Sequence, residues 1–205
     1  MKSSFLLLRK GKLMKYLVLA LLLIGQVAYS QDESTENFFK STFTVQGTSN
    51  DHAWELSSEV ADLNVIVYSE NEVIKVEQFN GKVPVSELKN DNPLMTQDAY
   101  QALKGYEFPF ITFRLTEVLS QSEQSGDIVG KVEITIAGEM SVVDFVVKSN
   151  LLGEGLVRIS GWKGVKMTDF GIQPPQFFNG AIQAYDDIVI RFEMNVPLTE
   201  KKTKR

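Results

Sequence analysis

The chain has 205 residues, with 21 Lys+Arg against 26 Asp+Glu, one histidine and no cysteine. The missing thiols exclude disulfides, cysteine nucleophiles and thiolate metal sites, so stability rests on a packed core. A net charge of −5 excludes the basic footprint that phosphate backbones require, and nucleic acid is not an expected partner.

The first thirty residues hold Lys2, Arg9, Lys10, Lys12 and Lys15 but no acid, then an apolar run from Leu17 to Ile24 and the small-residue pattern Ala28-Tyr29-Ser30. That order reads as a secretory signal peptide over residues 1–30, cleaved before Gln31, with Met14 as an alternative start. A membrane anchor fits less well, because the apolar run falls well short of the roughly 20 residues that cross a bilayer. The expectation is a periplasmic or secreted protein that is not an integral membrane protein. Loss of the five basic residues leaves 16 Lys+Arg against 26 acids, a net charge of about −10. Residues 31–40 read as a flexible lead-in, 41–198 as one domain and 199–205 as a solvated basic tail.

From Phe43 onward the chain alternates apolar and polar residues almost to its end, the pattern of half-buried strands. Irregular versions cover residues 43–46, 53–58, 63–68 and 73–85. Residues 95–104 break the rhythm: strong helix formers, Thr96 as N-cap, Asp98 in the first turn and Gly105 as a stop predict a short amphipathic helix. Ala99, Tyr100 and Leu103 are expected to share one of its faces. Alternation returns at 111–116, where Ile111, Phe113 and Leu115 point one way, and again at Val132, Ile134 and Ile136. Residues 142–148 and 156–162 follow, with polar or glycine-bearing turns at 120–127 and 150–155. Residues 166–175 cannot be an ordinary strand, since Pro174 and Pro175 lack a backbone donor and Gly171 admits a positive φ. Their Met167, Phe170 and Ile172 predict an apolar loop packed inward, against the core or over the mouth of a cavity. Ile188, Ile190, Phe192, Met194 and Val196 then alternate through a last strand. Strands in this number favour an all-β antiparallel sandwich or barrel.

Four stretches in order carry a family resemblance. Residues 95–115 combine a methionine, a short helix, Tyr-x-x-Leu-Lys, Pro109 and Ile111-Thr-Phe; residues 130–138 read Gly-x-Val-x-Ile-Thr-Ile-Ala-Gly. Together with Gly47-Thr-Ser-Asn-Asp-His-Ala-Trp54 and residues 166–175, they resemble the YceI-like family of secreted, lipocalin-like lipid-binding proteins across most of 41–196. One departure is Val142-Val-Asp-Phe145, where the family often has Thr followed by Lys or Arg. The resemblance implies an eight-stranded antiparallel lipocalin-like barrel with a short capping helix, enclosing a long apolar ligand of the polyisoprenoid type. An eight-stranded barrel is either just filled by side chains or holds one slender ligand.

On that basis Phe79, Tyr100, Leu103, Phe108, Phe113, Phe145, Met167, Phe170, Ile172 and Phe177 are the candidate lining or gating residues, each with plain core packing as its alternative. Phe177-Phe178 has a second reading, an exposed contact patch. His52 lacks the partners that catalysis or a metal would need and reads as a hydrogen-bonded structural residue beside Trp54. Asp186-Asp187 reads as a turn, too few oxygens for calcium, and Asp169 as an acceptor for loop amides. No catalytic residue, metal or cofactor is assigned. The leading expectation is a carrier or sequestering protein for a polyisoprenoid or its quinone, with a homodimer allowed. Its rivals are a stress-response or interaction protein with a side-chain-filled barrel and, third, an enzyme using His52 with Asp169.

Overall fold

A computed structural model describes residues 41–70, 73–122, 126–153 and 155–199. The expected signal peptide, the lead-in at 31–40 and the tail from residue 200 lie outside the described residues. Four strands, β1 (Ser41–Ser49), β2 (Ala53–Ser58), β3 (Asp62–Glu70) and β4 (Val73–Pro84), precede the helix α1 (Pro93–Ala102). After it come β5 (Phe110–Gln121), β6 (Asp127–Ile136), β7 (Glu139–Gly153), β8 (Leu156–Lys166), the two-residue β9 (Gln176–Phe177) and β10 (Ile182–Thr199).

The order β10-β3-β4-β5-β6-β7-β8 returns to β10, so the sheet closes on itself. This is the expected all-β lipocalin-like barrel with a short helix, and its closed ring counts seven strands where eight were expected. The difference lies at β10. One edge of that strand pairs with β8 from Asp187 to Pro197, while β1 takes the other edge from Ala184 to Met194. Only the last two residues, Leu198 and Thr199, remain to pair with β3, in parallel. The β1–β2 hairpin therefore replaces β3 along most of β10. The outer edge of β2 is met in turn by the segment before α1: Ser57 and Lys89 exchange backbone hydrogen bonds of 2.9 and 2.8 Å, and Asn90 Nδ2 donates to Glu55 O at 2.8 Å.

Alternation decides which residues enter the barrel. Phe43 and Val45 on β1, Ile111 and Phe113 on β5, Ile134 and Ile136 on β6, and Ile188, Ile190, Phe192, Met194 and Val196 on β10 are all buried. Register shifts between Ile66 and Val67, Leu115 and Glu117, and Val118 and Ser120 are bulges, which raise local twist and help a sheet of few strands to curl shut. The β6–β7 hairpin turns on Ala137 and Gly138, both at positive φ (51° and 86°), the mirror-type turn whose twist matches its strands.

Five phenylalanine rings fill one part of the interior. Phe43 packs on Phe113 with centroids 5.3 Å apart, and Phe192 lies between Phe79 at 5.0 Å and Phe145 at 5.5 Å. Gly161 makes this cluster possible, because a Cβ there would come within 2.7 Å of Phe145 and 2.9 Å of Phe192. Each fully buried ring of this kind contributes about 1.5–3 kcal/mol over leaving it in water.

The helix begins earlier than its sequence indicates. Asn92, not Thr96, is the N-cap: its side chain accepts from Leu94 N at 3.0 Å, and Pro93 fills the first helical position. Thr96 instead ties the helix back to Asn90, accepting from its N–H at 3.0 Å. At the other end Lys104 takes the left-handed turn (φ 52°), and Gly105 N donates to Tyr100 O at 2.9 Å.

Candidate functional site

A cavity of about 560 Å³ lies beside the ring cluster, between the barrel strands β1, β5, β6 and β10 and the elements that cover them. Its walls are the inward residues one step nearer the barrel end: Val45 of β1, Ile111 of β5, Ile136 of β6, and Ala184, Ile188 and Ile190 of β10. Trp54 and Leu56 of β2 add a side wall. Trp54 lies flat across its cross-strand partner Gly47, where a Cβ would meet the indole at 2.2 Å, so only glycine lets the ring lie there. One face of α1 forms a lid through Met95, Ala99, Ala102 and Leu103.

The loop of residues 166–175 closes another side. Met167–Phe170 form a 3-10 turn ended by Gly171 at φ 64°, and Met167, Phe170 and Ile172 are buried against the cavity. Four polar contacts fix its shape. Asp169 accepts from Lys166 N at 3.0 Å, as its sequence position predicts. Asp186 accepts from Thr168 N at 2.9 Å and from Thr168 Oγ1 at 2.7 Å, and Lys166 Nζ reaches Asp187 at 3.1 Å. The hydroxyl of Thr168 is the main reason the Asp186 carboxyl sits below its ordinary range; the hydrogen bond to Asp187 raises the Lys166 ammonium above its own. Asp186 and Asp187 thus lie within β10 and anchor the loop, rather than making a turn of their own.

Polar groups collect at the mouth, where Ser49, His52, Asn92, Asp98 and Gln176 join the lining. His52 Nδ1 lies 2.8 Å from Asp51 Oδ2, both side chains largely exposed. Asp169 faces Lys166 instead, so the two members of the enzyme hypothesis serve different partners. Leu94 and Phe178 also border the opening and are 70% and 79% exposed. Phe178 has φ 50° and Asn179 φ 56°; the left-handed region costs roughly 1–2 kcal/mol at Phe178, whereas asparagine tolerates it. The Phe178 ring thus stands exposed beside the cavity on a left-handed backbone.

Of the ten candidate residues, Leu103, Met167, Phe170, Ile172 and Phe177 line the cavity. Phe79, Phe113 and Phe145 are placed in the ring cluster instead, where they fill space rather than border it. Tyr100 packs edge-on against Tyr106 at 4.9 Å over Gly105, which is bare enough to receive its ring, and is partly buried against the core with Ala99 and Leu103 without lining the cavity. Phe108 lies on the hairpin turn at Gly138 and is 37% exposed. Val45, Trp54, Leu56, Met95, Ala184 and Ile188 also line the cavity and are not among the ten expected residues. The inward parity of those on strands is readable, but ring size alone does not say whether a residue lines or fills: Phe170 and Phe177 border the cavity, while Phe79, Phe113 and Phe145 pack against other rings.

These features define a class: a closed lipocalin-like barrel, packed at one end and hollow at the other, with an apolar cavity roofed by a helix and a tethered loop. More narrowly, the chain has a YceI-like fold. BcnA of Burkholderia cenocepacia superposes with a TM-score of 0.65 at 12% identity, over 76% of this chain and 96% of that one. A YceI protein of Campylobacter jejuni gives 0.54 at 14% identity, covering 68% and 82% of the two chains. A polyisoprenoid binding domain from Saccharophagus degradans, implicated in plant cell wall breakdown, gives 0.55 at 10% identity over 78% and 94%. No protein-family model matches the sequence, and no curated protein matches it.

Proposed function

We propose that this protein binds an apolar lipid inside its barrel, carrying or sequestering a polyisoprenoid or isoprenoid quinone without transforming it. The observation that carries the reading is the cavity itself: about 560 Å³, within the range of small-molecule sites, walled by Val, Leu, Ile, Met and Phe and polar only at its mouth. Each buried methylene contributes on the order of 0.8 kcal/mol, so a prenyl chain needs few polar contacts to bind tightly. The likeness to a polyisoprenoid binding domain supports the same class of ligand. Against the enzyme alternative, the two groups it would use are held by different partners, His52 by Asp51 and Asp169 by the Lys166 amide. Export to the periplasm or beyond rests on the leader-like residues 1–30. Among the described residues no helix is long and apolar enough to cross a membrane.

Purification from the native host, extraction into organic solvent and mass spectrometry test the proposal. A prenyl lipid present at near one per chain is the expected result. Extracts free of lipid, together with no uptake of added prenyl lipids, would leave the side-chain-filled interaction protein as the better reading.

A further inference from the structure

The cavity has a fixed floor and a mouth of one charge sign, and both restrict what can occupy it. Val45 and Ile190 are cross-strand partners and both border the cavity; the next inward pair, Phe43 and Phe192, does not. Phe192 is wedged between Phe79 and Phe145, and Phe43 is packed on Phe113. With Gly161 already stripped of a side chain to admit these rings, the cluster has no slack by which to open a deeper channel. A tail that reaches Val45 and Ile190 stops there, because the ring cluster stands behind them. Allowing about 30 Å³ for each water-sized group, the 560 Å³ above the floor holds on the order of 15–20 non-hydrogen atoms.

At the mouth Ser49, His52, Asn92, Asp98 and Gln176 offer hydrogen bonds, and neither lysine nor arginine is among the described lining residues. Asp98 is half-buried there, and Asp51 is paired to His52. The start of α1 offers an anion little. Asn92 already accepts from Leu94 N, Thr96 N donates to Asn92 O at 3.1 Å, and Pro93 has no N–H. A carboxylate or phosphate head would therefore find no cation to pair with and would meet the like charge of Asp98.

Resting on the lipid-binding reading above, we infer that the ligand is a chain of three or four isoprenoid units, or an acyl chain of equal length, whose polar head carries no negative charge. The test titrates the full chain, carrying Trp162→Phe so that Trp54 in the cavity wall is the fluorescent reporter, with geraniol, farnesol, geranylgeraniol, an eight-unit prenol and geranylgeranyl phosphate. The dissociation constant should fall at least about tenfold per unit up to geranylgeraniol. It should then level off or rise for the eight-unit prenol, and geranylgeranyl phosphate should bind at least about tenfold more weakly than its alcohol. An eight-unit prenol binding tenfold tighter than geranylgeraniol overturns the length limit, and a phosphate binding as tightly as the alcohol overturns the head-group rule; either leaves lipid binding standing. No binding by any prenol overturns the lipid reading itself. Phe192→Leu, or Phe113→Leu should the first not fold, should move the plateau to longer chains, and an unmoved plateau in a folded variant overturns the floor.

Discussion

Phe170 is fully buried in the tethered loop with its ring against the cavity, so shortening it to alanine separates core packing from ligand contact. Loss of a buried phenylalanine costs about 3–5 kcal/mol, a transfer contribution plus the new void. For a domain of this size 1 kcal/mol moves the melting point by about 2–4 °C, so the variant should melt roughly 6–20 °C lower and still be folded at room temperature. The ring is closed to water-sized groups, so a lipid can touch only its edge: about five atom contacts at 0.1–0.2 kcal/mol each give roughly 0.5–1 kcal/mol. That corresponds to affinity about two- to fivefold weaker. The control is Phe145→Ala, equally buried but in the ring cluster away from the cavity. It should lose as much stability with its affinity for geranylgeraniol unchanged. Calorimetry gives the first quantity and Trp54 fluorescence the second. Equal affinities for Phe170→Ala and the parent would refute the assignment of this loop as a ligand wall.

Three further outcomes follow from other parts of the barrel. Gly161→Ala should cost about 1–3 kcal/mol in chemical denaturation, because its methyl would overlap Phe145 and Phe192; a neutral result would mean that the ring cluster is loosely packed. Phe178→Gly should release the cost of a left-handed phenylalanine, raising stability by up to about 1 kcal/mol while weakening lipid uptake, and a variant that loses stability would show that the exposed ring is not held under strain. The loop tether should depend on pH at both ends. Asp186 has its folded pKa below the ordinary 3.8, so its contribution is present above 3.8 and lost as pH falls through the folded value. Lys166 is raised above 10.5, so its contribution is present below 10.5 and lost as pH rises beyond. The melting difference between parent and Asp186→Ala should accordingly be constant from about pH 5 to 9 and shrink outside that window; a difference that grows below pH 4 would contradict the tether.

Much of the architecture was legible because inward parity is written in alternation. Ile188 to Val196 could enter the barrel in only one way, and the prolines and glycine of 166–175 could form only a loop, whose Met167, Phe170 and Ile172 had nowhere favourable to go but inward. Three things were not legible. The strand count depended on β1 displacing β3 along β10, a competition between two distant segments for one edge that neither announces locally. The helix start depended on Asn92-Pro93, an N-cap and first-turn proline overlooked in favour of Thr96. The position of the cavity depended on which layer of inward residues is bulky on several strands at once. Phe43, Phe113 and Phe192 converge from β1, β5 and β10 and fill their layer, while Val45, Ile111 and Ile190, two residues away on the same strands, leave theirs open. Ring size does not separate the two: Phe170 and Phe177 border the cavity, whereas Phe79, Phe113 and Phe145 meet other rings across the narrow barrel and leave no room there.

The central claim, that the hollow half of the barrel holds the lipid, is tested most directly by locating the lipid. Methyl-labelled isoleucine and methionine in the full chain, saturated with geranylgeraniol, should show intermolecular nuclear Overhauser effects from the prenyl chain to Met167, Ile172, Ile188 and Ile190, and none to Ile159, which is buried but outside the cavity lining. Contacts confined instead to the exposed outer face around Met140 would place the ligand outside the barrel and contradict the account.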